Sequence, residues 1–180
     1  MKIVFDPGHG GQPSLGGDPG AVGHSGTREA DVVLLVAHEV KSRMERQHEI
    51  VMTRYIDEGI TLGRRTVVAN QEDADLFISI HCNGFHRPAY GVETYHFPGS
   101  VEGEKLAAAI QRELVAETGE VDRGVKTGKF TVLQRTRMPA VLVELPFITT
   151  PESEEKLRDP AYLSKCADAI ANGIRNYLEG

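Results

Sequence analysis

Three short runs of the chain, 2–5, 76–80 and 140–143, are almost continuously apolar and rich in β-branched and aromatic residues. Runs of that length and composition predict strands buried on both faces of a sheet. The first is stopped by Asp6-Pro7-Gly8, because proline cannot donate to a ladder and glycine admits a positive φ. Two further alternating runs, 49–53 and 92–97, predict strands, as does 131–134. Between the strands the spacing changes to a helical one. Helices are predicted over 28 to about 47 (stripe Val32, Leu35, Val36, Val40, Met44), 62–73, 102–118 (Leu106, Ile110, Leu114) and 160–177 (Leu163, Ala167, Ile170, Ile174). Thr27 is the expected N-cap of the first. Residues 10–27 and 119–129 read as polar, glycine-bearing loops, the first too long for a simple strand-to-helix connection. Strands alternating with helices predict a single α/β domain over 1–180, with no internal repeat and no linker.

The three apolar runs lead into residues that can do chemistry: His9, His81 and Glu144. In open α/β sheets the carboxyl edge of the strands is where ligands bind. Glu29, in the first turn of the first predicted helix, adds a carboxylate beside the first loop. Read locally, Glu29 is as well explained by the helix dipole, and that is the preferred local reading. Two histidines and a carboxylate are a common ligand set for catalytic zinc. A further, unligated carboxylate can move a proton. Spacing alone leaves this open, because no HExxH fixes two ligands on one helix face. His38 and His48 read as solvent-facing, while His24, His86 and His96 sit in or near loops with nothing to single them out. Competing chemistries are disfavoured. There is no G-x-x-x-x-G-K-[ST] and no G-x-S-x-G, and Cys82 adjoins His81 on a strand, so the two side chains face opposite ways.

Composition narrows the classes. A net charge of −6 gives no support for nucleic-acid binding, and no stretch is long and apolar enough to span a membrane. Two cysteines are too few for a disulfide framework, and Cys82 and Cys166 are expected to be free. The chain opens in a strand pattern without a secretory signal, as expected of a mature domain or of a protein exported by another route.

A longer set of motifs runs in order along the chain: Asp6-Pro7-Gly8-His9-Gly10-Gly11, Gly20-Ala21-Val22-Gly23, Glu29, Thr53-Arg54, Arg65 with Ala69-Asn70, 74–83 with His81 and Asn83, Gly91-Val92-Glu93-Thr94-Tyr95, Asp122-Arg123-Gly124-Val125-Lys126 and 139–144. In these the chain resembles the zinc-dependent N-acetylmuramoyl-L-alanine amidases of bacterial cell-wall turnover, spore germination and phage lysis. The resemblance implies a mixed, mostly parallel sheet of about six strands with helices on both faces. It implies that His9, Glu29 and His81 hold one zinc ion, overruling the local reading of Glu29. Glu144 would then be the catalytic carboxylate, and the substrate the peptidoglycan amide between N-acetylmuramic acid and L-alanine. It implies action at the cell wall, outside the cell; a monomer is expected, with neither nucleic acid nor membrane as partner. The roles of Asn83 and Glu93 stay open, Asn83 being a turn residue or a substrate contact. The loop from Gly11 to Gly20 is longer than the family's usual turn, and Pro146 and Thr149-Thr150 depart from its pattern after Glu144. Cys82 stands where alanine is commoner. No inserted helix is visible after Asn83, so an open site is expected. Two other readings are a wall-binding module with a degenerate site and a zinc exopeptidase acting on ordinary peptides.

Overall fold

The computed structural model describes all residues, Met1–Gly180. Six strands form one sheet: β1 (Lys2–Pro7), β2 (Glu49–Met52), β3 (Leu76–Cys82), β4 (Val92–His96), β5 (Asp122–Thr127) and β6 (Ala140–Leu145). Their order is β2-β1-β3-β6-β4-β5. The first four in that order run parallel, and β4 is antiparallel to β6. The helices are α1 (Glu29–Met44), α2 (Leu62–Gln71), α3 (Val101–Thr118), α4 (Thr131–Gln134), α5 (Pro151–Leu157) and α6 (Pro160–Glu179). The fold is the mixed, mostly parallel α/β sheet expected of the sequence.

One face is dry. Ile3, Phe5, Ile78, Ile80, Val141 and Val143 pack against α1, α3 and α6 in an apolar cluster of 31 buried residues. The opposite face has an apolar cluster of only eight, around Val4, Phe77 and Leu142 under α2 and α4. Further along the strands this second face turns polar at the period-2 spacing of a pleated sheet: Asp6 two residues past Val4, Ser79 and His81 two and four past Phe77, and Glu144 two past Leu142.

Four elements depart from the sequence reading. Residues 122–127 form edge strand β5 instead of a loop, since an edge strand tolerates polar residues and a bulge that a central strand would not. Residues 131–134 form one helical turn instead of a strand. Val132 and Leu133 are adjacent and both buried, which one helical face allows and an alternating strand does not. α5 is an additional helix with proline in its first turn and few apolar positions to betray it. α1 begins one residue later than expected, with Arg28 in place of Thr27 at its N-cap, and Leu35 is exposed while Val33 and Ala37 fill the stripe. The loop 10–27 is confirmed, carrying a one-turn 3-10 helix at Pro13–Leu15 and short bridges Gly10↔Asp18 and Val22↔Arg28. Both cysteines are free and buried.

Candidate metal centre and active site

His9 follows β1 in the left-handed region, with φ of 56°. A non-glycine residue is seldom held there, and the loop around it is fastened from below. Arg65, 3% exposed, donates to the carbonyls of Pro7 and His9 at 2.6 Å each and to Asp6 Oδ1 at 2.7 Å. Asp6 also accepts from the Thr53 hydroxyl at 2.6 Å and the Ser79 hydroxyl at 2.8 Å. Arg54 donates to the carbonyls of Pro7, Gly8 and Ala30. Gly8 and Gly20 are needed for close approach: a Cβ on Gly8 would run into the His81 ring, and one on Gly20 into His9 and Glu29.

The three residues expected to share a metal converge. His9 Nε2 lies 3.2 Å from Glu29 Oε1, and His81 Nδ1 lies 2.9 Å from the same oxygen. The ligand-capable atoms of the three residues all fall within 4.8 Å of one another. The rings meet edge to face, with centroids 5.0 Å apart. Donors bound at zinc–nitrogen and zinc–oxygen lengths of about 2.0–2.1 Å in a tetrahedron stand about 3.3 Å from each other, so this spacing fits zinc with little adjustment. The outer contacts fit too. His9 Nδ1 donates to Asp18 Oδ2 at 2.7 Å, which turns the lone pair of Nε2 inward. Glu29, buried, accepts the backbone N–H of Ala21 at 2.8 Å and of Cys82 at 3.0 Å.

The electrostatics of the cluster favour a cation. Burial works against a charge on Glu29, but the His81 and His9 imidazoles outweigh it and hold the carboxyl well below the usual range. Burial likewise works against a charged His9, yet Glu29 and Asp18 raise its pKa to about 9.

Glu144 stands directly beside this cluster. It is in register with His81 on the neighbouring strand, so both side chains rise from the same face. Its Oε2 is buried and has no hydrogen-bond partner. Burial is the main reason its pKa rises to about 7, reinforced by the charges of Glu29 and Glu93 and opposed by His81. A carboxyl in that state can accept and return a proton near neutrality. Asp6, His9, Asp18, His81, Phe130 and Glu144 are among the residues lining a cleft of about 650 Å³. The His9 and His81 side chains keep 24% and 18% exposure to solvent.

The chain is similar throughout to known proteins. A family model described as N-acetylmuramoyl-L-alanine amidase matches residues 3–176. The chain belongs to that family. Among its relatives, the amidase LytC of Bacillus subtilis (strain 168) is 38% identical over 97% of this chain, which spans 35% of LytC. The uncharacterized protein YqiI of the same strain is 41% identical, with 98% of this chain and 84% of YqiI covered. Among solved structures, the amidase of Clostridium difficile 630 superposes with a TM-score of 0.94 at 32% identity, covering 100% of this chain and 97% of that one. The amidase AmiC2 of Nostoc punctiforme gives 0.92 at 32%, covering 100% and 98%.

Within this amidase fold the remaining candidates fall outside the site. His38 is exposed, whereas His48, expected at the surface, is half-buried with its Nδ1 unpartnered. His24 and His86 are exposed, and His96 is buried at the end of β4. Cys82 faces the dry core, where burial pushes its thiol well up, so it is no nucleophile. Asn83 donates its backbone N–H to Leu145 O and accepts Ile148 N–H at its carbonyl. Its buried side-chain nitrogen has no partner. The sequence reading missed Asp18 as the orienting partner of His9. Its signal was faint: an acidic residue before Pro19-Gly20 inside a long loop.

Proposed function

We propose that this amidase is a zinc-dependent hydrolase cleaving the amide between N-acetylmuramic acid and L-alanine in peptidoglycan. The observation that carries the reading is the convergence of His9, Glu29 and His81 on one point, with an unpartnered carboxyl, Glu144, on the adjoining strand. His9, Glu29 and His81 would hold the ion. Bound there, zinc would supply a Lewis acid for the scissile carbonyl and would lower the pKa of the attacking water. Glu144 takes the proton of the attacking water and returns it to the departing alanine nitrogen. Burial, which raises the Glu144 pKa, makes that return possible at neutral pH. Asp18 fixes the His9 tautomer, and Arg65 fixes the loop that carries His9.

The family and its cell-wall relatives support peptidoglycan as substrate and the wall as the place of action. No helix is long and apolar enough to cross a membrane, and the charge of −6 does not recruit nucleic acid. The enzyme is read as a monomer.

The test is elemental analysis of the purified protein together with a digest of purified cell walls. One zinc per chain and new N-terminal alanine are expected. His81→Ala should lose both. Wall binding without new alanine would favour a binding module. Cleavage of plain peptides in preference to muropeptides would favour an exopeptidase.

A further inference from the structure

The sheet face that carries Glu144 continues past it. Glu93 on β4 is its registered partner and rises from the same face. Beyond Glu93, the pairing of β4 with β5 shifts, so that Arg123 and Gly124 together stand opposite one residue. This bulge is firmly built. Gly124, with φ of 82°, donates its N–H to Asp122 Oδ1 at 2.8 Å, and Gln111 Nε2 donates to the same oxygen at 2.6 Å. A bulge re-aims the side chain it bears. Here Arg123 Nε donates to Glu93 Oε2 at 2.6 Å, Lys126 Nζ donates to the same oxygen, and the Tyr95 hydroxyl donates to Oε1 at 2.8 Å.

Glu93 is therefore buried and fully partnered, whereas the Arg123 and Lys126 side chains each keep 36% exposure. Two cations on one carboxylate leave that trio of side chains with one uncompensated positive charge, on a protein whose charge is −6. α4 packs over Ala140 and Leu142 of β6, and Glu144, two residues further along that strand, lines the cleft. The β5 backbone lies two strands from β6, about 10 Å away, and the Arg123 and Lys126 head groups reach back across β4 as far as Glu93, the registered partner of Glu144. One to two strand spacings, about 5–10 Å, are spanned by about two to three residues of extended peptide.

We propose that Arg123 and Lys126, held by Glu93, form a carboxylate-binding subsite for the peptide arm of the substrate. The inference rests on the amidase reading above. At the scissile amide one side is an uncharged sugar and the other a peptide whose free carboxylates are the anionic groups. A guanidinium re-aimed by a bulge, beside an ammonium, matches such a carboxylate on the second or third residue. The subsite thus sets which way the substrate lies across Glu144 and favours stems with a free acid at that place.

The test uses three soluble muropeptides: one with all carboxylates free, one a carboxamide at the second residue and one a carboxamide at the third. The wild type should cleave the free acid better than one of the two amides. In Arg123→Ala, and in Lys126→Met, the kcat/KM ratio of acid to that amide should fall about tenfold, mostly through KM. Lys126→Met keeps the aliphatic stem, and carries the test if Arg123→Ala melts below the assay temperature. Ratios unchanged for both amides in both variants would overturn the subsite while leaving the amidase reading intact. A wild type that cleaves none of the three overturns the reading itself, and the subsite with it.

Discussion

The two faces of the sheet are held by different physics. Under α1, α3 and α6 the contacts are apolar, continuous and dry. Under α2 and α4 the apolar cluster is a quarter of that size, and beyond it the strands carry a buried ionic network that ends at the candidate metal centre. Large apolar clusters stabilise by area removed from water and specify little chemistry. Buried ion pairs contribute little net stability but fix geometry, because each member is costly to leave unpartnered. One face therefore holds the fold together, and the other holds His9 in a conformation that it would not adopt alone.

That division can be broken from either side. The largest effect is expected from Arg65→Leu, which strands Asp6 in the interior and frees the carbonyls of Pro7 and His9. A loss of about 3–5 kcal/mol is expected, with zinc affinity falling as well, measured by urea unfolding and metal titration. Ile110→Ala, on the dry face against α6, should cost about 2–4 kcal/mol while leaving zinc affinity unchanged below the melting temperature. If both variants weaken zinc binding alike, the faces are not separable as described. Zinc itself should stabilise the wild type by about 2.7 kcal/mol at one hundred times its Kd. The Arg65→Leu protein should gain less, and calorimetric melts with and without chelator decide it.

A smaller effect concerns the rim. Glu154 on α5 accepts the backbone N–H groups of Ser25 and Thr27, closing the loop that leads into α1. Burial works against its charge, but those donors hold its pKa below the ordinary carboxylate value. A depressed folded-state pKa means that this stabilisation is full above the unfolded value of about 4.3 and is lost as pH falls through the folded one. Glu154→Gln should therefore cost about 1–2 kcal/mol at pH 7. The gap from wild type should close on acidification below about pH 4, followed by denaturant midpoints across pH.

The dry face was readable in the sequence because it is written in periodicity. The stripes Leu106, Ile110, Leu114 and Leu163, Ala167, Ile170, Ile174 are buried as their spacing requires. The central strands announced themselves as unbroken apolar runs, and so placed His9, His81 and Glu144 on one rim. The polar face was legible only in part. Local pattern assigned Glu29 to the helix dipole, and only the motif resemblance brought it to the candidate metal centre. The difference lies in contacts across 52 residues, from His81 to Glu29, which no local window contains. Edge strand β5 hid behind its bulge and charges, and α4 behind two adjacent apolar residues. Where burial decides the element, hydropathy reports it; where paired charges decide it, the partner must be seen.

The most direct test of the account is Glu144→Gln, compared with the wild type on zinc content, melting temperature and release of N-terminal alanine from purified cell walls. The amide is near-isosteric and removes a buried carboxyl whose Oε2 has no partner, so the fold should lose nothing. The prediction is one zinc per chain, a melting temperature equal to or above that of the wild type, and alanine release reduced by about 10²–10⁴-fold. A Glu144→Gln protein that loads zinc and still opens the wall at the wild-type rate would contradict the account.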